Sequence, residues 1–208
     1  MTDVLPPTAE GIARAAELLR EGAVVAFPTD TVYGVGVDGA RPDLLPALFE
    51  LKRRPLDRRI PMLIADLSQA KLAGWEPDAR AEALAARFWP GALTLVLPWC
   101  PDLPPDPLIG ESQAFRAPDH ALALALIAET GPIFATSANI SDQPDTLGAD
   151  DVLIAFATDQ DGLAAVLDGG PVPGGVASTV VDLTVTPARV LREGPISAAQ
   201  LADVVDLA

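Results

Sequence analysis

The sequence predicts one α/β domain over residues 1–208, a twisted mixed sheet with flanking helices. Three observations carry that prediction. Short apolar runs bounded by Gly and Pro alternate with segments whose apolar residues recur every three to four positions. Half of the 208 residues are hydrophobic, enough to bury a sizeable core, while aromatics make up only 5%. Two β-rich runs close the chain, so the sheet is mixed rather than built only from strand–helix–strand units.

Taken in order, residues 8–21 read as a helix. Thr8 is its cap, Ile12, Ala15, Ala16 and Leu19 share one face, and Gly22 stops it. Residues 23–27 are a buried strand ending at Pro28. Residues 43–51 are a helix with Leu44, Leu48 and Leu51 inward, and 60–65 a strand. Residues 77–88 form a helix with Pro77 in its first turn, where a missing N–H costs nothing. Residues 93–97 are a strand. Residues 99–110 are rich in proline and read as an irregular loop, an insertion or lid rather than a domain linker. Asp119 is expected to cap a helix that runs to about Thr130. A strand at 133–136 and a helix at 149–157 follow, and 166–175 is turn-rich. Strands at 178–183 and 189–191 precede a last helix that opens at Ser197, where Ser-Ala-Ala-Gln matches a capping box.

Composition excludes several classes of function. No uncharged apolar run reaches the roughly 18 residues a spanning helix needs. Residues 1–7 carry no basic region followed by an apolar run, so no secretory leader is expected, and the expected compartment is the cytoplasm. One cysteine and one histidine allow neither an internal disulfide nor a zinc cluster. A net charge of −15 opposes tight binding of nucleic acid, which requires phosphate neutralisation by a basic surface.

Four polar clusters lie at or near the ends of apolar runs. Thr29-Asp30-Thr31 leaves the first strand and runs into Gly34 and Gly36. No Gly-Lys-Ser/Thr follows, so it is not a Walker loop. Residues 52–59 hold five of the 14 basic residues in eight positions. A helix C-terminus favours one or two cations there. Five repel one another unless an anion joins them, and a polyphosphate suits the paired donors of Arg. In the third cluster, beginning at Ser112, Arg116 sits in an apolar stretch. It either pairs with a carboxylate of the fold or binds a ligand's carboxylate or phosphate. His120 follows near a helix start, where a structural role is the commoner one. The fourth cluster, Thr136-Ser137-Ala138-Asn139-Ile140-Ser141, offers hydroxyls and an amide. Ser178 and Arg192 would add further anion ligands. No Ser-His-Asp arrangement and no dinucleotide fingerprint is present. These residue types suit phosphoryl or nucleotidyl transfer, where positioning and charge neutralisation dominate.

Together the clusters resemble the YrdC-like family of threonylcarbamoyl-AMP synthases. The matching segments are PTDTVYGVG at 28–36, KRRP at 52–55, FWPGALTLVLP at 88–98, FRAPDH at 115–120, TSANIS at 136–141, STVVD at 178–182 and REG at 192–194. The resemblance implies a twisted sheet around an open, positively lined cavity. It also implies a reaction, in which L-threonine, bicarbonate and ATP give threonylcarbamoyl-AMP and pyrophosphate. Mg²⁺ would accompany the ATP phosphates, with no metal site built by the protein. A partner enzyme would pass the threonylcarbamoyl group to tRNA, which this chain itself would bind weakly or not at all. On this resemblance Lys52 and Arg54 are the catalytic cations. ATP would be held by Lys52, Arg54, Arg58, Ser112, Ser137, Asn139 and Arg192. Threonine would be held by Thr31, Arg116 and Ser178. Two stretches depart from the family pattern. Arg58-Arg59-Ile60 and Leu63-Ile64-Ala65 stand where many members have Asn-Pro-Leu and then a His. Ser141-Asp142 stands where Ser-Gly is usual. Two other readings are a non-catalytic nucleotide- or RNA-binding module and an adenylate-forming enzyme fed by carbamoyl phosphate.

Overall fold

The computed structural model describes residues 2–55, 58–72, 75, 77–98, 112–157 and 162–208. The proline-rich segment at 99–110 lies outside the described residues, as does the role expected for it. The chain runs β1 (Asp3–Leu5), α1 (Ala9–Arg20), β2 (Val25–Pro28), β3 (Tyr33–Asp38), α2 (Leu45–Lys52) and β4 (Met62–Leu63). It continues through α3 (Leu67–Leu72), α4 (Ala79–Phe88), β5 (Leu93–Pro98), β6 (Ser112–Arg116), α5 (Ala121–Thr130) and β7 (Ile133–Ser137). It closes with α6 (Ala149–Ala155), β8 (Ala165–Leu167), β9 (Thr179–Asp182), β10 (Arg189–Arg192) and α7 (Ala198–Ala202). The strands form one mixed sheet in the order β1-β8-β2-β3-β7-β4-β6-β5-β9-β10. Among the described residues, no helix is long and apolar enough to cross a membrane.

Side-chain alternation along the strands makes two cores. In β5, Leu93, Leu95 and Leu97 join Phe115 of β6, Phe134 of β7 and Val181 of β9 in the larger one. On the opposite face, α1 and α5 pack together over β1, β8, β2 and β3, burying Ala15, Leu19, Leu126 and Ile127 with Val25 and Phe27. Their cover is partial. Over β4, β6, β5, β9 and β10 that face turns residues such as Thr94, Arg116 and Val180 toward a cavity. The sheet itself therefore supplies the floor of a site.

Local signals explain the ends of the elements. Thr8 accepts from the Gly11 N–H at 3.3 Å, and Ser197 with Gln200 forms the reciprocal capping box. Several expectations are corrected. The helix expected from Pro77 starts at Ala79, because Asp78 accepts from the Ala81 N–H at 2.9 Å and so takes the cap position. His120, not Asp119, occupies the cap position of α5, without a side-chain bond. The helix expected at 43–51 opens as a 3₁₀ turn at Pro42–Leu44 before α2, and that expected at 149–157 ends at Ala155. The strand expected at 60–65 shrinks to Met62–Leu63, since Pro61 lacks an N–H for the ladder. Within the turn-rich stretch 166–175, Val166 and Leu167 belong to β8, which pairs with both β1 and β2. Strands β1, β3 and β6 and helix α3 are additions to the elements expected from sequence.

Candidate active site

The cavity holds about 420 Å³, and Arg54, Arg59, Arg116 and Arg192 all line it. Its floor follows from strand register. Leu63 of β4 pairs with Arg116 of β6. One residue along the β5–β6 ladder from the Leu95–Phe115 pair, Thr94 stands opposite Arg116. Thr94 pairs with Val180 of β9, and Val180 with Arg192 of β10. A register shift between Val190 and Arg192 aims Arg192 into this row. All five residues of the row line the cavity.

The turn after β2 forms one wall. The Thr29 hydroxyl donates to the Val32 carbonyl at 2.7 Å, and the Thr29 and Thr31 hydroxyls lie 3.2 Å apart. Arg116 reaches this turn, donating to Asp30 Oδ1 at 2.6 Å and to Thr31 Oγ1 at 3.3 Å. Its Nε donates to the Gly91 carbonyl at 3.0 Å. Arg116 thus pairs with a carboxylate of the fold, and it also lines the cavity.

The turn after β7 forms the opposite wall. Lys52 Nζ donates to Thr136 Oγ1 at 3.3 Å, to Ser137 Oγ at 3.2 Å and to the Ser137 carbonyl. Ser137 donates in turn to Asn139 Oδ1 at 2.6 Å, and Asn139 Nδ2 to the Gln143 carbonyl. Lys52 is only 1% exposed and lies behind Thr136 and Ser137, so it supports the wall without lining the cavity. Burial, reinforced by Arg54 and opposed by Asp145, pushes its ammonium down to about 7.

The basic cluster thus divides by direction. Arg53 closes α2 in the left-handed conformation, φ 51°, and the chain turns there between Lys52 and Arg54. Arg54 faces the cavity and donates to the carbonyls of Arg58 and Arg59 at 2.9 and 3.0 Å. Arg59 lines the cavity and donates to the Ser112 carbonyl at 3.0 Å and to its hydroxyl. Arg58 is half-exposed and pairs with Asp142 at 2.8 Å, outside the cavity lining. Asp142 has φ 63°, the conformation glycine supplies most easily, so the turn keeps its form with a carboxylate that anchors Arg58.

Arg192 and Ser178 complete the site. Arg192 Nε and Nη2 both donate to the Ser178 carbonyl, at 3.0 and 2.9 Å, and Nη2 also lies 3.2 Å from Ser178 Oγ. Burial, then the neighbouring Arg116, hold the Arg192 guanidinium below its ordinary value. A Cβ on Gly194 would lie 2.4 Å from both the Ala177 carbonyl oxygen and the Thr179 nitrogen, so only glycine lets the chain cross Ser178 this closely.

Of the residues expected from sequence, Thr31, Arg54, Arg116, Ser137, Ser178 and Arg192 line the cavity. Lys52, Ser112 and Asn139 bond to lining residues from behind, and Arg58 turns outward. Arg59, Thr94 and Asp145 line it without having been singled out. Thr94 carried a signal, being a polar residue on the non-leucine side of Leu93-Thr94-Leu95-Val96-Leu97. Among the described residues, no three His, Cys, Asp or Glu side chains cluster to hold a metal.

Comparison with known proteins follows the same lines. The telomere recombination family model, Sua5/YciO/YrdC, matches residues 17–194. A Bacillus subtilis protein named threonylcarbamoyl-AMP synthase is 47% identical over 210 residues, covering 99% of this chain and 59% of its own length. An Escherichia coli protein of the same name is 38% identical over 153 residues, covering 71% of this chain and 80% of its own. The crystal structure of P. abyssi Sua5 complexed with L-threonine superposes with a TM-score of 0.87 at 36% identity, covering all of this chain and 62% of that one. The chain therefore spans about three fifths of the length of the Bacillus and P. abyssi proteins.

Proposed function

This chain belongs to the Sua5/YciO/YrdC family, and on that footing we propose that it is a threonylcarbamoyl-AMP synthase, a nucleotidyltransferase that joins L-threonine, bicarbonate and ATP. The observation that carries the reading is the convergence of Arg54, Arg59, Arg116 and Arg192 on one cavity beside the hydroxyls of Thr31, Ser137 and Ser178. Arg116 offers a charge-assisted pair to the threonine carboxylate, and Thr31 and Ser178 offer hydrogen bonds to its polar end. Threonine's neutral amine and bicarbonate give a carbamate and water. A carbamate oxygen then attacks the α-phosphorus of ATP, and pyrophosphate leaves with the electron pair of the broken P–O bond. Negative charge gathers on the α-phosphoryl oxygens and the leaving group, where Arg54, Arg59 and Arg192 lower its cost. Ser137 and Asn139 hold the wall against the nucleotide. Lys52 donates to Thr136 and Ser137 and supports the wall they form.

Mg²⁺ fits the residues present, because it commonly binds through substrate phosphates, water and one or two carboxylates. Asp145 is the carboxylate that the described cavity lining offers it. When bound, Mg²⁺ would offset phosphate charge. The product would pass to a tRNA-modifying partner enzyme.

The test is pyrophosphate release from ATP. The expected result is release only when threonine and bicarbonate are both present. Release with carbamoyl phosphate replacing both would overturn the reading in favour of a carbamoyl-phosphate enzyme. No release, with RNA retained at physiological salt, would point to a binding module.

A further inference from the structure

An ion pair joins the stretch after α2 to the turn after β7. Arg58 Nη1 donates to Asp142 Oδ1 at 2.8 Å, across 84 positions of sequence. The turn that carries Asp142 is tied to the end of α2 as well, because the Ser141 N–H donates to the Lys52 carbonyl at 3.0 Å. It is braced from within by the Gln143 N–H, which donates to the Ile140 carbonyl at 3.0 Å. On the other side of the pair, the backbone around Arg58 is what Arg54 holds. Arg54 Nε donates to the Arg58 carbonyl at 2.9 Å, and its Nη2 to the Arg59 carbonyl at 3.0 Å. A guanidinium is a rigid planar fork, so two bonds to fixed carbonyls set the direction of its remaining donors. Arg54 and Arg59 line the cavity, whereas Arg58 and Asp142 lie outside its lining. An unbroken line of bonds thus runs from Asp142 through Arg58 to a cavity cation. Asp142 keeps φ 63°, a conformation that glycine adopts more easily, so the turn carries its carboxylate at a cost. The side chains of Arg58 and Asp142 are 49% and 69% exposed, and a pair so exposed adds little to the stability of the fold.

We propose that Asp142 and Arg58 are positioning residues for nucleotide binding: their ion pair fixes the carbonyls of Arg58 and Arg59, and these aim Arg54 at the phosphates of ATP. The inference rests on the synthase reading for the identity of the nucleotide. It assigns Asp142 an effect opposite in sign to that of its charge alone. A carboxylate near an arginine-lined cavity repels a polyanion, so its removal should by charge alone tighten ATP. Acting through Arg58 and Arg54, the same carboxylate favours ATP, and its removal weakens binding.

The experiment titrates ATP into the whole protein by calorimetry, without threonine. Asp142→Asn removes the charge and keeps a side chain that tolerates the left-handed backbone. Asp142→Asn and Arg58→Gln should each raise the ATP Kd about threefold, the scale of one exposed ion pair, and the double variant should lose no more than either. Arg58→Lys should recover part of the loss. High salt should shrink the ratio between wild type and Asp142→Asn, because the pair is screened. Threonine affinity should stay near wild type, since Arg116 and Thr31 bond to each other on the opposite wall. The urea midpoint of Asp142→Asn should also stay near wild type, which separates positioning from collapse of the turn. Binding of ATP by Asp142→Asn as tightly as by wild type, or more tightly, overturns the proposal, and so do additive losses in the double variant. Parallel loss of ATP, threonine and stability does so as well, as does a wild type that binds no ATP. Failure of the synthase reading is separately visible. In that case wild type would bind ATP yet release no pyrophosphate when threonine and bicarbonate are added.

Discussion

Lys52 shows how burial and hydrogen bonding shape a charged side chain at the wall of the cavity. Its amine is buried and meets three acceptors, two in Ser137 and one in Thr136, as many as an ammonium has donors. Burial holds it to about 7 when folded, whereas the exposed group titrates at 10.5. Between those values the unfolded chain binds one more proton than the folded one, so stability rises with pH through that window. Below about 7 the cost of burying the charge is fully present. Going from pH 7 to pH 9, wild type should gain about 2 kcal/mol relative to Lys52→Met, at up to ~1.4 kcal/mol per pH unit. Urea denaturation of both proteins at several pH values measures it. Parallel curves would mean that Lys52 keeps its proton in the fold.

At the scale of elements, the site depends on how closely β9, β10 and the segment after β10 approach one another. A Cβ on Gly194 meets only backbone atoms of residues 177–179, which cannot swing aside as a flexible side chain would. Gly194→Ala should therefore destabilise the protein by roughly 2 kcal/mol, in the range of overpacking. It should also raise the threonine requirement, because Ser178 moves with the strained backbone. Urea denaturation and a threonine titration test this, and an unchanged midpoint would mean that the crossing yields freely. Elements with a clear period were legible in the sequence. Helix α1 and strand β5 present apolar residues at 3.6 and 2 residue spacing, and Ser197 announces α7. Strand β3 was not legible, because Tyr33-Gly34-Val35-Gly36 has the composition of a loop. Its glycines answer to tertiary contact, and a Cβ on Gly36 would lie 2.6 Å from the Phe134 carbonyl oxygen. Strand β8 is three residues long and takes its partners from β1 and β2, more than 130 residues earlier. The site divides in the same way. The polar clusters were legible as local excesses of charge and hydroxyls. The outward turn of Arg58 was not, because its partner Asp142 lies 84 positions away.

For the whole molecule, a net charge of −15 coexists with a cavity rich in arginine. The distribution of cations reconciles the two. Four of the 14 basic residues line the cavity, and Lys52 lies buried behind its wall. Among the described residues, Arg14, Arg20, Arg41, Arg58, Lys71, Arg80 and Arg189 each have a carboxylate within 4.0 Å on the outside. Such surface pairs add little stability, but they leave few unneutralised cations to release counterions from a polyanion. The cavity can accept a nucleotide-sized anion, whereas a duplex meets an outer surface of the same sign. The protein alone should therefore fail to retain tRNA in gel filtration at about 0.15 M salt, and lowering the salt should strengthen any residual binding only shallowly. On the proposed reading ATP should respond differently, because the cations it would meet converge on one concave cavity, which focuses their field. Titrating both ligands across a salt series separates the cases. Retention of tRNA with a steep salt dependence would require a basic face that the described residues do not form.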